Sequence, residues 1–219
     1  MPRALFEKTG NAVFISHLDL MRLFQRAFKR AGLALTHTQG FNPRPSVSIA
    51  LPLSVGVQSY CELLDFELDG GSVPCEKVTE LLNQNLVEGI RVLSVYDAGA
   101  KLKHLAYLDC KVELEYDQCI PAGAKDSITE LFGRPSVTVE KKGKNGITQQ
   151  DLIPMIRFLR VEAADSHTLH MYARICCQNP TLNPAQMVAA IAQYLPEYAP
   201  DFSKCSRLEI FDQNENVFR

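Results

Sequence analysis

The sequence predicts an α+β protein made of two tandem ferredoxin-like domains. The prediction depends on the order of strand and helix periodicities, on a loose repeat of that order in the second half, and on the composition. The chain has 219 residues, 46% hydrophobic and 22% charged, which is typical of a globular protein able to bury a core. We expect a first domain at residues 1–97, a linker at 98–103 and a second domain at 104–219.

The chain opens with a predicted strand or hairpin, because residues 4–6 and 13–15 are β-prone and a turn-forming stretch separates them. A helix is predicted over residues 16–32. Ser16 is a favourable N-cap for it, and Gly32 is a natural stop. The apolar positions of this helix recur at spacings of three and four, at Leu20, Phe24, Ala27 and Ala31.

The rest of the first half completes a strand-helix-strand-strand-helix-strand order. Residues 47–51 and 61–68 read as strands, and residues 74–86 as an amphipathic helix with Ser72 as a possible cap. Residues 91–96 read as the closing strand. This order is the ferredoxin-like unit.

The second half repeats that order loosely. Strands are predicted at 110–116, 137–139, 168–176 and 208–211, and helices at 124–132 and 184–195. The apolar stretch at 153–161 has no period that fixes its form. The basic stretch at 141–146 reads as a solvated hairpin tip.

Composition and charge exclude several classes of protein. No apolar run is long enough for a membrane helix and no secretory signal is present, so we expect a cytoplasmic protein with no membrane partner. The net charge of −2 excludes a basic DNA-coating protein. Residues 1–50 nevertheless carry seven basic and two acidic side chains, a net +5, whereas residues 51–100 carry a net −6. This asymmetry indicates a polyanion-facing surface on the first segment.

The predicted helix at 16–32 carries Arg22, Arg26 and Arg30, each one turn apart, with Lys29 beside them. Arginine side chains match phosphate or carboxylate oxygens with two hydrogen bonds. The alternative is an ordinary solvated helix face.

A stiff loop with polar, aromatic and basic side chains follows this helix. It contains Gly40, Phe41, Arg44 and two prolines, a mixture that suits a nucleotide- or RNA-contacting surface. The alternative is a packing loop in which Phe41 plugs the core.

The candidate ligand-binding residues therefore lie between residues 17 and 44: His17, Arg22, Arg26, Arg30, Gln39, Phe41, Asn42 and Arg44. We assign no catalytic residue unless the protein is an enzyme. In that case His17 is the candidate, because histidine can act as a general acid or base near neutral pH. The seven cysteines show no metal-ligand spacing, and no nucleotide-binding loop is present. We expect no metal and no cofactor.

Three segments together resemble the radical-SAM-linked protein family, a bacterial group found beside or fused to radical SAM proteins. They are Phe-Ile-Ser-His-Leu-Asp-Leu-Met-Arg at 14–22, Gln-Gly-Phe-Asn-Pro-Arg-Pro at 39–45 and Leu-Pro-Leu-Ser-Val-Gly at 51–56. The resemblance implies a radical SAM protein as partner. The basic region at residues 16–45 indicates RNA or ribosome-associated RNA as a second partner. The chain itself has no three-cysteine motif for an iron–sulfur cluster.

Two functions follow as hypotheses. The first is a non-catalytic accessory or substrate-recognition protein for a radical SAM partner, which binds an anionic ligand such as RNA. The second is a metal-independent RNA-processing endonuclease, in which His17 takes a proton from a ribose 2′-hydroxyl while Arg22 or Arg44 stabilises charge on the phosphate.

Overall fold

A computed structural model describes residues 1–71, 73–143 and 146–219. Within them the chain divides into two units, Met1–His104 together with Arg219, and Leu105–Phe218. Both units combine helices with antiparallel strands, which confirms the α+β class. The predicted cap Ser72 and residues 144 and 145 of the predicted hairpin tip lie outside the described residues.

The first unit has the order strand, helix, strand, strand, helix, strand. Its elements are β1 (Pro2–Lys8), α1 (His17–Arg30), β2 (Val47–Ile49), β3 (Gln58–Phe66), α2 (Cys75–Asn83) and β4 (Ile90–Asp97). The strands pair antiparallel in the spatial order β4-β1-β3-β2.

Helix α1 begins and ends where the sequence predicts. The Ser16 side chain accepts a hydrogen bond from the Asp19 amide at 3.2 Å, the standard N-cap contact. At the other end, Gly32 has a φ of +70°, and the Leu33 amide donates to the Phe28 carbonyl at 3.0 Å. This left-handed glycine ends the helix and turns the chain back over it.

The core of the first unit lies between one face of its sheet and the two helices. Phe6 of β1 meets Phe24 of α1 edge to face, with ring centroids 4.8 Å apart, and Phe28 lies 4.9 Å from Phe66 of β3. All four rings are fully buried. These contacts fix α1 on the sheet and leave its other side to solvent.

Of the two predicted alternatives for the start of the chain, the structure has the single strand β1, and the hairpin with a second strand at residues 13–15 is wrong. A short 3-10 helix, Gly10–Phe14, occupies this position and leads into α1. The Lys8 ammonium holds the segment by donating to the Val13 carbonyl at 3.1 Å and the Ile15 carbonyl at 2.7 Å. The Ile15 carbonyl therefore bonds a side chain, and the Val13 carbonyl accepts from both Lys8 and the Gly56 amide, the latter at 2.9 Å.

Among its described residues, the second unit has six strands and two α-helices: β5 (Leu105–Glu115), α3 (Ala124–Phe132), β6 (Thr138–Gly143), β7 (Gly146–Asp151), β8 (Ile156–Ala163), β9 (Thr168–Cys176), α4 (Pro184–Tyr194) and β10 (Phe202–Asp212). The main sheet has the order β10-β5-β9-β8, and β6 and β7 form a separate hairpin. The stretch with no fixed prediction, residues 153–161, is a 3-10 turn followed by β8.

Without the β6–β7 hairpin, the second unit has the same element order as the first. In both sheets, counting strands along the chain of each unit without this hairpin, the spatial order is fourth, first, third, second. The predicted strand at 137–139 belongs to the added hairpin, whereas β8 takes the place of the second strand of the repeat. None of the helices in the described ranges has the length and apolar character needed to cross a membrane.

Candidate functional site

A groove of about 650 Å³ runs along the first unit between α1 and the chain that follows it. Basic and polar side chains from both segments line it, namely Arg22, Gln25, Arg26, Lys29 and His37. Its apolar lining comes from Phe28, Leu33, Ala34, Leu35 and Pro45. The groove therefore combines a cationic wall with an apolar floor.

The cations of the groove differ in whether an acidic side chain of the protein already pairs with them. Arg22 donates to the Asp19 carboxylate at 2.9 Å, and both side chains are exposed. The Ser16 hydroxyl, 2.7 Å from the same carboxylate, and Arg22 lower the pKa of Asp19. In the ranges that the structure describes, Arg26 and Lys29 form no ion pair or side-chain hydrogen bond. These two cations are available to an anionic ligand.

Arg30 lies apart from the other two arginines. Its guanidinium donates to the Asn85 carbonyl at 2.5 Å, and the side chain is not part of the groove lining. Of the three predicted arginines, only Arg22 and Arg26 line the groove. A periodicity along one helix cannot show that Arg30 reaches a carbonyl 55 residues away.

The loop after α1 is a narrow hairpin rather than a packing loop. A bridge between His37 and Pro45 closes its base, and the Thr38 amide donates to the Arg44 carbonyl at 2.8 Å. Gly40 has a φ of +142° at the tip, a value that side chains disfavour. Phe41 is fully exposed at this tip, so it does not plug the core.

The other predicted residues of the hairpin, Gln39, Asn42 and Arg44, are also exposed. They lie beyond the base of the hairpin and outside the groove lining. The structure thus places six of the eight predicted residues in two parts of one unit: Arg22 and Arg26 on the groove wall, and the other four on the hairpin. Arg30 and His17 belong to neither part. His37, which sequence reasoning did not select, joins these parts because it belongs to both the hairpin base and the groove.

His17 is the first residue of α1 and is partly exposed. In the described part of the chain its imidazole has no hydrogen-bond or ion-pair partner, and it is not among the groove-lining residues. Within the same ranges no contact joins it to Arg22 or to Arg44.

Two of the seven basic side chains in residues 1–50 are internal. Arg3 is buried and forms two hydrogen bonds to Asp65, at 2.6 and 3.0 Å. Lys8 is also buried, and burial lowers its pKa although the nearby Glu62 opposes that shift. The polyanion-facing charge predicted for this segment is therefore carried by the five other cations, on α1 and the hairpin.

Residues 2–184 match the family described as "Uncharacterized protein conserved in bacteria (DUF2344)". None of the curated proteins matches this sequence.

Solved structures of RNA–protein complexes contain chains with a similar fold. A chain in the crystal structure of a Cbf5-Nop10-Gar1 complex matches with a TM-score of 0.53 and 7% identity, over 95% of this chain and 48% of that one. A chain in the structure of an H/ACA RNP bound to a substrate RNA containing 2′-deoxyuridine gives a TM-score of 0.50 and 7% identity, over 94% and 46%. The present chain thus spans about half the length of these chains, and at this identity the likeness shows the fold alone.

Proposed function

The chain belongs to the bacterial DUF2344 family, and from this premise we propose that it is a non-catalytic accessory or substrate-recognition protein that binds RNA for a radical SAM partner. The proposal includes two tandem ferredoxin-like domains, because both units share one strand order. It assigns the RNA-binding surface to the first unit.

The observation that carries the RNA-binding part is the groove beside α1, where Arg26 and Lys29 lack acidic partners among the described residues. Unpaired surface cations on one helix attract phosphates and release counterions on binding. The exposed Phe41 and Arg44 on the neighbouring hairpin add a stacking ring and a further cation. The fold likeness to chains of RNA–protein complexes supports the same class of ligand.

The radical SAM part depends on the sequence resemblance of residues 14–22, 39–45 and 51–56. A partner that supplies the cluster fits a chain whose own cysteines show no cluster spacing. Cys61, Cys110, Cys176 and Cys177 are buried in the structure. The accessory role therefore assigns recognition to this chain and chemistry to its partner.

The RNA-binding part is tested by fluorescence anisotropy with a labelled single-stranded 12-mer RNA over a series of salt concentrations. The triple variant Arg22→Ala, Arg26→Ala, Lys29→Ala removes the cations of the groove. If each contacts one phosphate, the slope of log affinity against log salt falls by roughly 2, because each single-strand contact contributes about 0.7.

A matched control removes three exposed cations of the same unit away from the groove: Lys77→Ala, Arg91→Ala and Lys101→Ala. Both triple variants lose the same net charge. The control should nevertheless retain most of the RNA affinity, because its three cations do not line the groove. An equal loss of RNA affinity in both variants, or no loss in the groove variant, would show that the cations of α1 form an ordinary solvated helix face.

The partner is tested separately by purifying the native chain from its own cells and identifying the proteins that co-purify by mass spectrometry, with a radical SAM protein as the expected result. Recovery of a stoichiometric complex supports the accessory role. Recovery of the chain only with itself or with ribosomes rejects that role but leaves the RNA surface untouched.

A further inference from the structure

We propose that the groove beside α1 is a pocket for one unpaired nucleotide, so that the protein selects single-stranded or looped RNA over duplex RNA. This inference rests on the proposed RNA-binding function and names the form of RNA that the same site takes. The juxtaposition that carries it is an apolar floor directly beside unmatched cations.

The first argument is the chemistry of the floor. Leu35 and Pro45, both partly exposed, and the exposed Ala34 line the groove from the chain that follows α1. Leu33 and Phe28 also line it but are already buried. A phosphate gains nothing from covering such a surface, whereas a nucleobase has apolar faces that can cover it. An apolar lining next to cations therefore fits a ligand with a flat apolar part and an anionic part, which describes a nucleotide.

The second argument is size and shape. A volume of about 650 Å³ lies within the usual range of roughly 300–1,000 Å³ for small-molecule pockets. In duplex RNA the bases are stacked inside the helix, so phosphates and 2′-hydroxyls are the groups that reach a protein surface. A duplex would contact Arg26 and Lys29 but would leave the accessible apolar lining, at Ala34, Leu35 and Pro45, in contact with water.

The third argument is the position of the polar groups around the floor. Arg26 and Lys29 stand on the helix side of the groove, and His37 stands on the hairpin side. A base between them can place its phosphate against the cations while its edge faces the imidazole. The exposed Phe41 at the hairpin tip can then stack a neighbouring base.

The experiment compares four labelled probes on the full chain at one salt concentration: a 12-mer of adenosine, a 12-mer of uridine, the duplex formed by the two, and a 12-residue abasic ribose-phosphate strand. The abasic strand carries the same phosphates without bases. We expect the base-bearing single strand to bind about tenfold or more tighter than either the duplex or the abasic strand, since stacking of one base contributes roughly fivefold to a hundredfold.

A filling substitution tests whether the preference arises in the groove. Ala34 is exposed and lines the groove, so Ala34→Leu occupies space without changing charge. The matched control is Ala122→Leu, at an exposed alanine of the second unit. Thermal unfolding of both variants establishes that they are folded.

Ala34→Leu should reduce the preference for the base-bearing strand by at least about fivefold, the contribution of one stacked base, while the affinity for the abasic strand and its salt slope stay the same. Any remaining preference comes from stacking on Phe41. Equal binding of all four probes by the native chain would overturn the nucleotide pocket but would leave the proposed RNA-binding function standing. A preference that is unchanged in Ala34→Leu would also overturn the pocket. Absence of binding to every probe would overturn the proposed function itself.

Discussion

The buried Lys8 side chain should be a major source of stability for the segment that leads into α1. Lys8 is 1% exposed, and its ammonium donates to the carbonyls of Val13 and Ile15. Glu62, also 1% exposed, is close enough to influence its pKa. The substitution Lys8→Met keeps a long apolar stem but removes the charge and all three donor hydrogens. We expect this change to destabilise the protein strongly.

The magnitude follows from what the substitution leaves behind. Two carbonyls lose a charged donor, and hydrogen bonds to charged groups contribute about 1.5–3 kcal/mol each. The Glu62 carboxylate also loses the attraction of a nearby cation, which adds to this cost. These costs overlap, so the expected total for Lys8→Met is roughly 3–5 kcal/mol, a large share of a typical stability of about 5–15 kcal/mol.

The assay is equilibrium unfolding in urea, with a double-mutant cycle that adds Glu62→Gln. The double variant should lose less than the sum of the single losses, by at least about 1 kcal/mol, because the two groups interact. Lys77→Met is the control, since Lys77 pairs with Glu80 at the surface and should cost under about 1 kcal/mol. A cost below about 1 kcal/mol for Lys8→Met, or strict additivity with Glu62→Gln, would refute this reasoning.

Three further predictions concern the neighbourhood of α1. Gly89→Ala should destabilise the protein by about 2 kcal/mol or more in urea unfolding. Gly89 has a φ of +83°, and a Cβ at this position would lie 2.4 Å from the Thr9 carbonyl oxygen. An unchanged unfolding midpoint would contradict the close approach of Gly89 to Thr9. Ser16→Ala should cost about 1 kcal/mol through loss of the N-cap, and Ser16→Thr should restore most of it; equal stability of the two variants would show that the cap contributes nothing. The pKa of the Asp19 carboxyl is lowered in the folded protein, so the ionised carboxylate stabilises the fold above its ordinary pKa of about 3.9, and this stabilisation is lost as the pH falls through the lowered value. Asp19→Asn should therefore flatten the acid side of a plot of unfolding free energy against pH. An unchanged acid side would show that Asp19 does not contribute to it.

The endonuclease hypothesis makes the opposite prediction to ours for RNA incubated with the protein in EDTA. We expect intact RNA with both the native chain and His17→Ala, because no described contact connects His17 to a cation of the groove. Cleavage that survives EDTA and falls at least about a hundredfold in His17→Ala would match a general base and would establish the enzyme.

Local signals in the sequence predict much of the fold. Helix α3 and strand β9 have the predicted bounds, and α1 differs from its prediction by one or two residues at each end. A short-range pattern determines each of these elements: a 3.6-residue period, an N-cap such as Ser16, or strict alternation of apolar and polar side chains. The prediction of a strand at residues 13–15 failed because it used only their β-prone composition. In the structure the Lys8 ammonium binds the carbonyls of Val13 and Ile15, a contact that local composition does not indicate.

The candidate site was only partly predictable for the same physical reason. The spacing of Arg22 and Arg26 places both on one side of α1, and the groove confirms that they share a surface. Which cations are neutralised depends on contacts distant in sequence, such as that of Arg30 with Asn85. His37 enters the groove because its bridge to Pro45 closes the hairpin, and no periodicity in the sequence encodes that closure.

The two units also show why the fold by itself cannot assign the function. They share one strand order, yet the first helix of each unit differs in charge: α1 carries four arginine or lysine residues and one acid, whereas α3 carries Lys125 with Asp126 and Glu130. The chain after α1 forms the narrow hairpin that completes the groove, whereas the corresponding place after α3 leads into the separate hairpin of β6 and β7. Because equal topologies carry opposite helix charges, a polyanion should discriminate between the units, and RNA affinity should follow substitutions on α1 but not the substitution Lys125→Ala on α3.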